Sequence, residues 1–224
     1  MVGFVVLFSV GSLAWGLRAR TTGDHRFVSR VLGAILLVVW VLYNVYYFHP
    51  AVFAWPTSLP LHTCDVLGLL GGAVLLWPFP SGRAVLFSSA LGMASQAIFT
   101  PTGDQDPLSL RFWLYWTLHA GIVAAMLFDL AVNRYEPRWR DLRFVLFFDV
   151  IYLAIVLPID LVFDWNYGYL GRQTPGETTL LDVLGPWPLR AVNVVLIALL
   201  VQLAMFGLWC LGKRLLSGDR CNHD

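Results

Sequence analysis

An all-α, seven-helix transmembrane bundle is the fold class this sequence predicts, and three observations predict it. Of the 224 residues, 58% are hydrophobic and only 13% charged, where a soluble domain carries about 25% charge. Apolar runs of about 20 residues, the length that crosses about 30 Å of hydrocarbon, recur from end to end. Twelve of the fifteen basic residues lie in alternate connections between those runs. The same composition excludes other classes. Lys+Arg 15 against Asp+Glu 14 leaves no cationic surface for nucleic acid, and three cysteines make no disulfide scaffold. A mean hydropathy of +0.68 excludes a disordered tail and an ordinary soluble enzyme.

The spans are placed at 1–17, 27–48, 59–77, 83–100, 109–132, 142–163 and 189–212, within one integral membrane domain covering 1–224. Arg18, Arg20, Arg26 and Arg30 follow span 1, and Arg83 follows span 3. Arg134, Arg138, Arg140 and Arg143 follow span 5, and Lys213, Arg214 and Arg220 follow span 7. The positive-inside rule then orients the chain N-out and C-in. Span 1 has its charges behind it, so it reads as an anchor rather than a cleaved signal. Ser58-Leu59-Pro60, Asp106-Pro107 and Pro186-Trp187-Pro188 are expected to open spans 3, 5 and 7, with proline near the first turn where its missing N–H costs nothing. Pro158 is expected to kink span 6.

Polar residues inside the spans are expensive and therefore informative. Asn44, His62, Cys64, Asp65, Gln96, Asp160, Arg190 and Asn193 all fall near the outer ends of their spans, and His119 lies about 15 Å into span 5 at 1.5 Å per residue. The inner halves hold only Asp129, Asp149 and Gln202. Six helices thus direct polar groups to one pocket facing the extracytoplasmic leaflet. Simpler roles compete. Asn44, Gln96 and Asn193 can cap helices or reach the headgroups, Arg190 can pair with Asp182 or Asp160, and a buried cysteine is often an apolar filler.

Cys64 stands apart because it sits near a helix N-terminus, where free N–H groups and the dipole favour the thiolate. His62 and Asp65 share a helical face, an arrangement that can hold an imidazole in one tautomer. They cannot both attend Cys64, which lies about 100° from one and about 200° from the other. A base must then come from another span, and His119, one turn beyond Tyr115 and Trp116, is the candidate. No lysine lies in a span core, so a retinal Schiff base is excluded. No HExxH, GxSxG, CxxC or Walker pattern occurs.

Four segments, LPLHTCD (59–65), RFWLYWTLH (111–119), NYGYL (166–170) with Pro175, and LLDVLGPWP (180–188), carry a family likeness. In order and spacing they resemble the YwaF-like bacterial integral membrane proteins. The animal relatives of that family are transmembrane acyltransferases of ether-phospholipid metabolism. The resemblance implies Cys-dependent acyl transfer in a bacterial cytoplasmic membrane, with Cys64 as nucleophile, His119 as base, and His62 and Asp65 beside them. It implies lipid contacts from Asn166, Tyr169, Asp182 and Trp187, to which the polar pattern adds Arg190, Tyr115 and Asn44. Phospholipids or lysophospholipids are the expected partners, without metal or cofactor. Two departures stand out: Thr63 replaces an apolar residue, and Leu189-Arg190 follow GPWP where an aromatic is usual. The rival reading is a non-enzymatic binding or transport protein whose outward pocket holds a small solute, a quinone or haem.

Overall fold

Gly23 takes φ 89°, a left-handed conformation that glycine adopts without strain, and so closes the first helix, α1 (Val2–Thr22). The computed structural model describes residues 1–94, 96–99, 101, 106–173 and 183–217, the side chains of 93, 94, 216 and 217 aside. Helix α2 (His25–Phe48) follows, then a four-residue α3 (Trp55–Ser58) and α4 (Thr63–Leu76). The fourth crossing is α5 (Pro80–Ser89), a π-helical turn (Ala90–Ala94) and α6 (Gln96–Phe99). Then come α7 (Leu110–Ala131), α8 (Leu142–Phe163) and α9 (Leu189–Ser217). Six helical stretches among the described residues are long and apolar enough to span a bilayer. The fourth crossing is not among these six.

Three expected helix starts shift. Span 3 begins at Thr63, not Leu59: Leu59 is extended, and Ser58 Oγ accepts from the Ala54 N–H inside the α3 turn (2.9 Å) rather than capping the crossing. Span 4 begins at Pro80, three residues early, with the proline in its first turn. Span 5 is capped by Ser109, whose Oγ accepts from the Phe112 N–H (3.1 Å), while Asp106 closes a separate turn by accepting from Leu108 N–H (3.0 Å). Span 7 opens at Leu189, directly after Pro186-Trp187-Pro188. Span 6 runs Leu142–Phe163 with Pro158 inside it.

Helix α7 is the centre of the bundle. Within its apolar window 72% is buried, against 11% for α2 and α9. The reason is compositional: Ala120, Gly121, Ala124 and Ala125 let α1, α2 and α4 pack close to its backbone. Helices α2 and α4 approach most closely where Gly33 meets Gly72. A Cβ on Gly33 would stand 2.8 Å from the Gly72 carbonyl oxygen. The outward faces carry Leu7, Val38, Val45, Phe147, Val150, Leu200 and Leu208, all exposed. That is the pattern of helices whose solvent on that side is lipid.

At the end holding the arginine-rich connections, Arg83 closes a polar lock. Its Nε pairs with Asp129 Oδ2 (2.8 Å), and its guanidinium lies 4.8 Å from the Tyr135 ring centroid. Asn133 Nδ2 donates to Asp129 Oδ1 (3.1 Å) and to Ser29 Oγ (3.2 Å), whose hydroxyl donates to the Leu75 carbonyl (2.8 Å). Tyr135 OH donates to Asp141 (2.9 Å), and burial together with that carboxylate pushes the phenol well up. Lys213 Nζ lies 2.8 Å from Glu136, and its ammonium holds that carboxyl below the usual range.

Candidate functional site

The thiol-bearing helix starts at an acidic first turn. His62 is extended (φ −68°, ψ 147°) and forms the N-cap of α4. Asp65 folds back so that its Oδ2 accepts from the His62 backbone N–H (3.2 Å). The carboxylate therefore grips the backbone of His62, not its ring, as the shared helical face had suggested. Asp65 is 4% exposed, and its Oδ1 meets no hydrogen-bond partner among the described residues. Trp40 of α2 donates from Nε1 to the Asp65 carbonyl (2.7 Å), tying the same turn to its neighbour.

Cys64 is a free thiol at the second position of this turn. Its sulfur lies beside the backbone N–H of Asp65 and its own N–H. The first N–H groups of any α-helix have no intrahelical acceptor. His62 gives its N–H to Asp65, while Thr63 and Cys64 give theirs to no oxygen among the described residues. Two adjacent donors thus lack an oxygen acceptor, the second of them turned to its own sulfur.

His119 is buried on α7 at 1% exposure. Its Nδ1 lies 2.8 Å from the Tyr115 carbonyl oxygen. A carbonyl only accepts, so Nδ1 carries the proton, and Nε2 of the neutral ring keeps its lone pair. That Nε2 has no hydrogen-bond partner among the described residues, Cys64 included. The Tyr115 ring lies against the imidazole at 4.2 Å between centroids, and its hydroxyl donates to the Ala97 carbonyl (2.8 Å). His62 is the member of the Cys64 segment within direct electrostatic reach of His119.

Two tyrosines complete the cluster, and neither was singled out from sequence. Tyr152 of α8 donates to the Leu61 carbonyl (2.8 Å) and accepts from Thr63 Oγ1 (3.2 Å). It also lies within electrostatic reach of Cys64, Asp65 and Asp160. Tyr43 of α2 reaches Cys64 and Asp65 in the same sense. The available signal was a phenol in an otherwise apolar span. The departure at Thr63 now has a physical reason: its hydroxyl binds Tyr152.

Over this turn lies the connection from α8 to α9. Asp160, fully buried, accepts the Tyr167 N–H at Oδ1 (2.8 Å), and Asn166 Oδ1 accepts the Gly171 N–H (2.9 Å). The Tyr167 hydroxyl donates to the Trp55 carbonyl and accepts from the Leu59 N–H (3.0 Å). Burial pushes the pKa of this phenol up. The Tyr167 and Tyr169 rings stand 4.9 and 6.2 Å from the His62 ring. Gly171 admits no side chain, because a Cβ there would collide with the Trp165 carbonyl.

Arg190 holds the loop from below. At 2% exposure, its Nη2 donates to the carbonyls of Gly171 (2.7 Å), Arg172 (3.2 Å) and Gln173 (2.6 Å). No ion pair with Asp160 forms, and Asp182 lies outside the described residues, as does Pro175. Trp187 Nε1 donates to the Leu170 carbonyl (3.3 Å) under the Arg172 guanidinium, and Asn193 donates to the Leu184 carbonyl (2.9 Å). Asn44 donates to the Trp40 carbonyl of its own helix (2.8 Å). The structure therefore gathers His62, Cys64, Asp65 and Tyr169 around one helix start, with His119, held by Tyr115, within electrostatic reach of His62. Asn166, Trp187 and Arg190 shape the loop above it, and Asn44 belongs to α2.

An all-helical bundle with six membrane-length helices and a polar cluster near one end defines a multi-pass membrane protein. Within that class the chain belongs to the TMEM164 family, whose description it matches over residues 1–206. No curated protein and no solved structure matches it.

Proposed function

We propose that this protein is a thiol-dependent lipid acyltransferase or transacylase, akin to the animal acyltransferases related to the YwaF-like proteins its motifs resemble. The observation that carries the reading is the lone pair of His119 Nε2, buried without a partner in the cluster that holds a free thiol. Nε2 takes the Cys64 proton, directly or through one bridging water, a separation that tightens when substrate enters. The thiolate attacks the acyl carbonyl carbon of a phospholipid, and the Thr63 and Cys64 N–H groups receive the oxyanion. The lysolipid alkoxide leaves with the proton from Nε2. A lysolipid hydroxyl then attacks the thioester while Nε2 removes its proton, and Cys64 is regenerated. Water in place of the acceptor makes the same site a lipase. Beside Trp55, an open groove of about 550 Å³ lined by Phe48, Pro50, Phe53 and Trp55 suits an acyl chain arriving sideways from the membrane. The bacterial cytoplasmic membrane, with the site at its outer leaflet, is the setting this reading carries.

The test is transfer of a labelled acyl chain between phospholipid and lysophospholipid by the purified chain in detergent. Cys64→Ala abolishes transfer. His119→Ala lowers kcat by about 100-fold or more, the range for loss of a general base, and removes the pH dependence of thiol labelling at Cys64. Transfer that survives Cys64→Ala overturns the thiol mechanism, and no transfer by the wild-type chain leaves a binding protein with a polar pocket.

A further inference from the structure

Arg111 lies in the first turn of α7, and neither the motifs nor the acyl-transfer chemistry gives it a role. With Arg172 and Arg190 it is one of three basic residues outside the arginine-rich connections. Arg190 is occupied by the carbonyls of residues 171–173, and the Arg172 guanidinium lies 5.2 Å from the Trp187 ring centroid. Arg111 has a different setting. Its Nε donates to the Tyr47 hydroxyl of α2 (2.8 Å), and its guanidinium carbon stands 5.9 Å from the centroid of that ring. The ion pairs of the described residues engage Arg83, Arg140 and Lys213, so no carboxylate among them answers Arg111. Its Nη1 and Nη2 meet no acceptor among the described residues, and neither is buried. One side of the guanidinium is thus fixed against a phenol while its outer fork stays open.

From Tyr47 a line of phenols runs inward to the thiol. Tyr43, one turn or about 6 Å deeper along α2, lies within hydrogen-bonding reach of Tyr47, with 4.9 Å between the ring centroids. The Tyr46 ring stands edge-on to Tyr47 at 5.5 Å. Tyr43 in turn is within electrostatic reach of Cys64 and Asp65. The level of Arg111 is marked by Trp113, exposed and donating from Nε1 to the Pro107 carbonyl (2.9 Å). Tryptophans of this kind gather at the membrane–water interface.

A phospholipid matches that line. Its phosphate and its acyl esters share one glycerol, the phosphate at the interface and the esters just beneath. An open guanidinium fork is the donor that phosphate oxygens take in pairs. An arginine merely reaching the headgroups would need neither the Tyr47 hydrogen bond nor the ring beneath it.

We propose that Arg111, oriented by Tyr47, holds the phosphate of the phospholipid whose ester lies beside Cys64. The pose of the ester rests on the acyl-transfer reading, whereas the phosphate contact requires no turnover.

The experiment is equilibrium binding to the full-length Cys64→Ala chain in a maltoside detergent, which carries no phosphate. The probes are lysophosphatidate with a fluorescent tail and the monoacylglycerol with the same tail, which differ by the phosphate alone. The expected result is tighter binding of lysophosphatidate, weakened about tenfold or more in Arg111→Gln, the range for losing a hydrogen bond to a charged group, with monoacylglycerol unchanged. Arg111→Lys recovers part of the loss, and excess inorganic phosphate leaves lysophosphatidate bound. Equal affinities for the two probes overturn the proposal. So does an Arg111→Gln chain that elutes as wild type and either binds both probes as before or loses both equally. Displacement by inorganic phosphate overturns the assignment to a lipid. Should Arg111→Gln fail to fold, Tyr47→Phe serves in its place. Lysophosphatidate binding weakened about threefold there, the range for a neutral hydrogen bond, supports the site, and unchanged affinity for both probes overturns it. Discrimination by phosphate in a protein whose wild type transfers no acyl chain supports this site and strikes the thiol chemistry alone.

Discussion

Arg190 shows how a single residue resolves an ambiguity that sequence leaves open. Its spacing after GPWP allowed a carboxylate partner or a lipid phosphate. Instead its Nη2 is occupied by the carbonyls of residues 171–173. Lysine has a charge of the same sign but no planar fork. Arg190→Lys is therefore expected to lower stability by about 1.5–3 kcal/mol, the range for a hydrogen bond to a charged group, and to expose the 164–188 connection to protease while Leu142–Phe163 stays protected. Limited proteolysis with mass mapping reads both effects. His119 offers the converse lesson. Its position was legible from its depth in span 5, but its tautomer was not, because the Tyr115 carbonyl that fixes it is visible only in the folded backbone.

At the scale of elements, α7 and α8 were legible nearly residue by residue, since both are unbroken apolar runs bounded by turn signals. The fourth crossing was not. Nothing in Ser88-Ser89-Ala90-Leu91-Gly92 marks a π-turn, because hydropathy is the same whether the ladder closes at four residues or five. The start of α4 was also misplaced, since proline at 60 reads as a first-turn residue while the chain stays extended until His62. That displacement puts Cys64 in the second position of the helix, where its N–H has no oxygen acceptor among the described residues. The α2–α4 contact belongs to this scale too. Gly33→Leu would press four carbons against the Gly72 backbone, and overpacking of this kind costs about 1–3 kcal/mol. A fall in thermal midpoint checks it, with Gly3→Leu, where a Cβ meets nothing within 4 Å, as the neutral control.

For the whole molecule, two polar clusters near opposite ends of the bundle divide the labour. The Arg83 lock ties α5 to α7 and the 132–141 connection through a buried carboxylate, and removing one partner of such a pair costs about 3–5 kcal/mol. Arg83→Leu is expected to lose most of that, while Arg83→Leu with Asp129→Leu recovers part of it, read as midpoints in a double-mutant cycle. The Glu136–Lys213 contact is exposed and weaker, and its sign is set by the lowered pKa of Glu136 beside the Lys213 ammonium. A depressed carboxyl stabilises the fold above its unfolded pKa and loses that contribution as pH falls through its folded value. The midpoint difference between wild type and Glu136→Gln should therefore be constant near neutrality and vanish in acid. The charge rule assigns these ends, as an expectation, to the two sides of the membrane. The clusters themselves depend on contacts between residues far apart in the chain, such as Arg83 with Asp129 and Thr63 with Tyr152, which periodicity does not encode.

The central helix carries one more consequence. Leu110–Ala131 has the lowest mean hydropathy of the six membrane-length stretches, 1.4, and the largest buried share. Its residence in the bilayer is thus underwritten by neighbouring protein more than by lipid. During biogenesis it is the segment least able to partition alone, and it should leave the translocon only by docking onto α1, α2 and α4, which precede it in the chain.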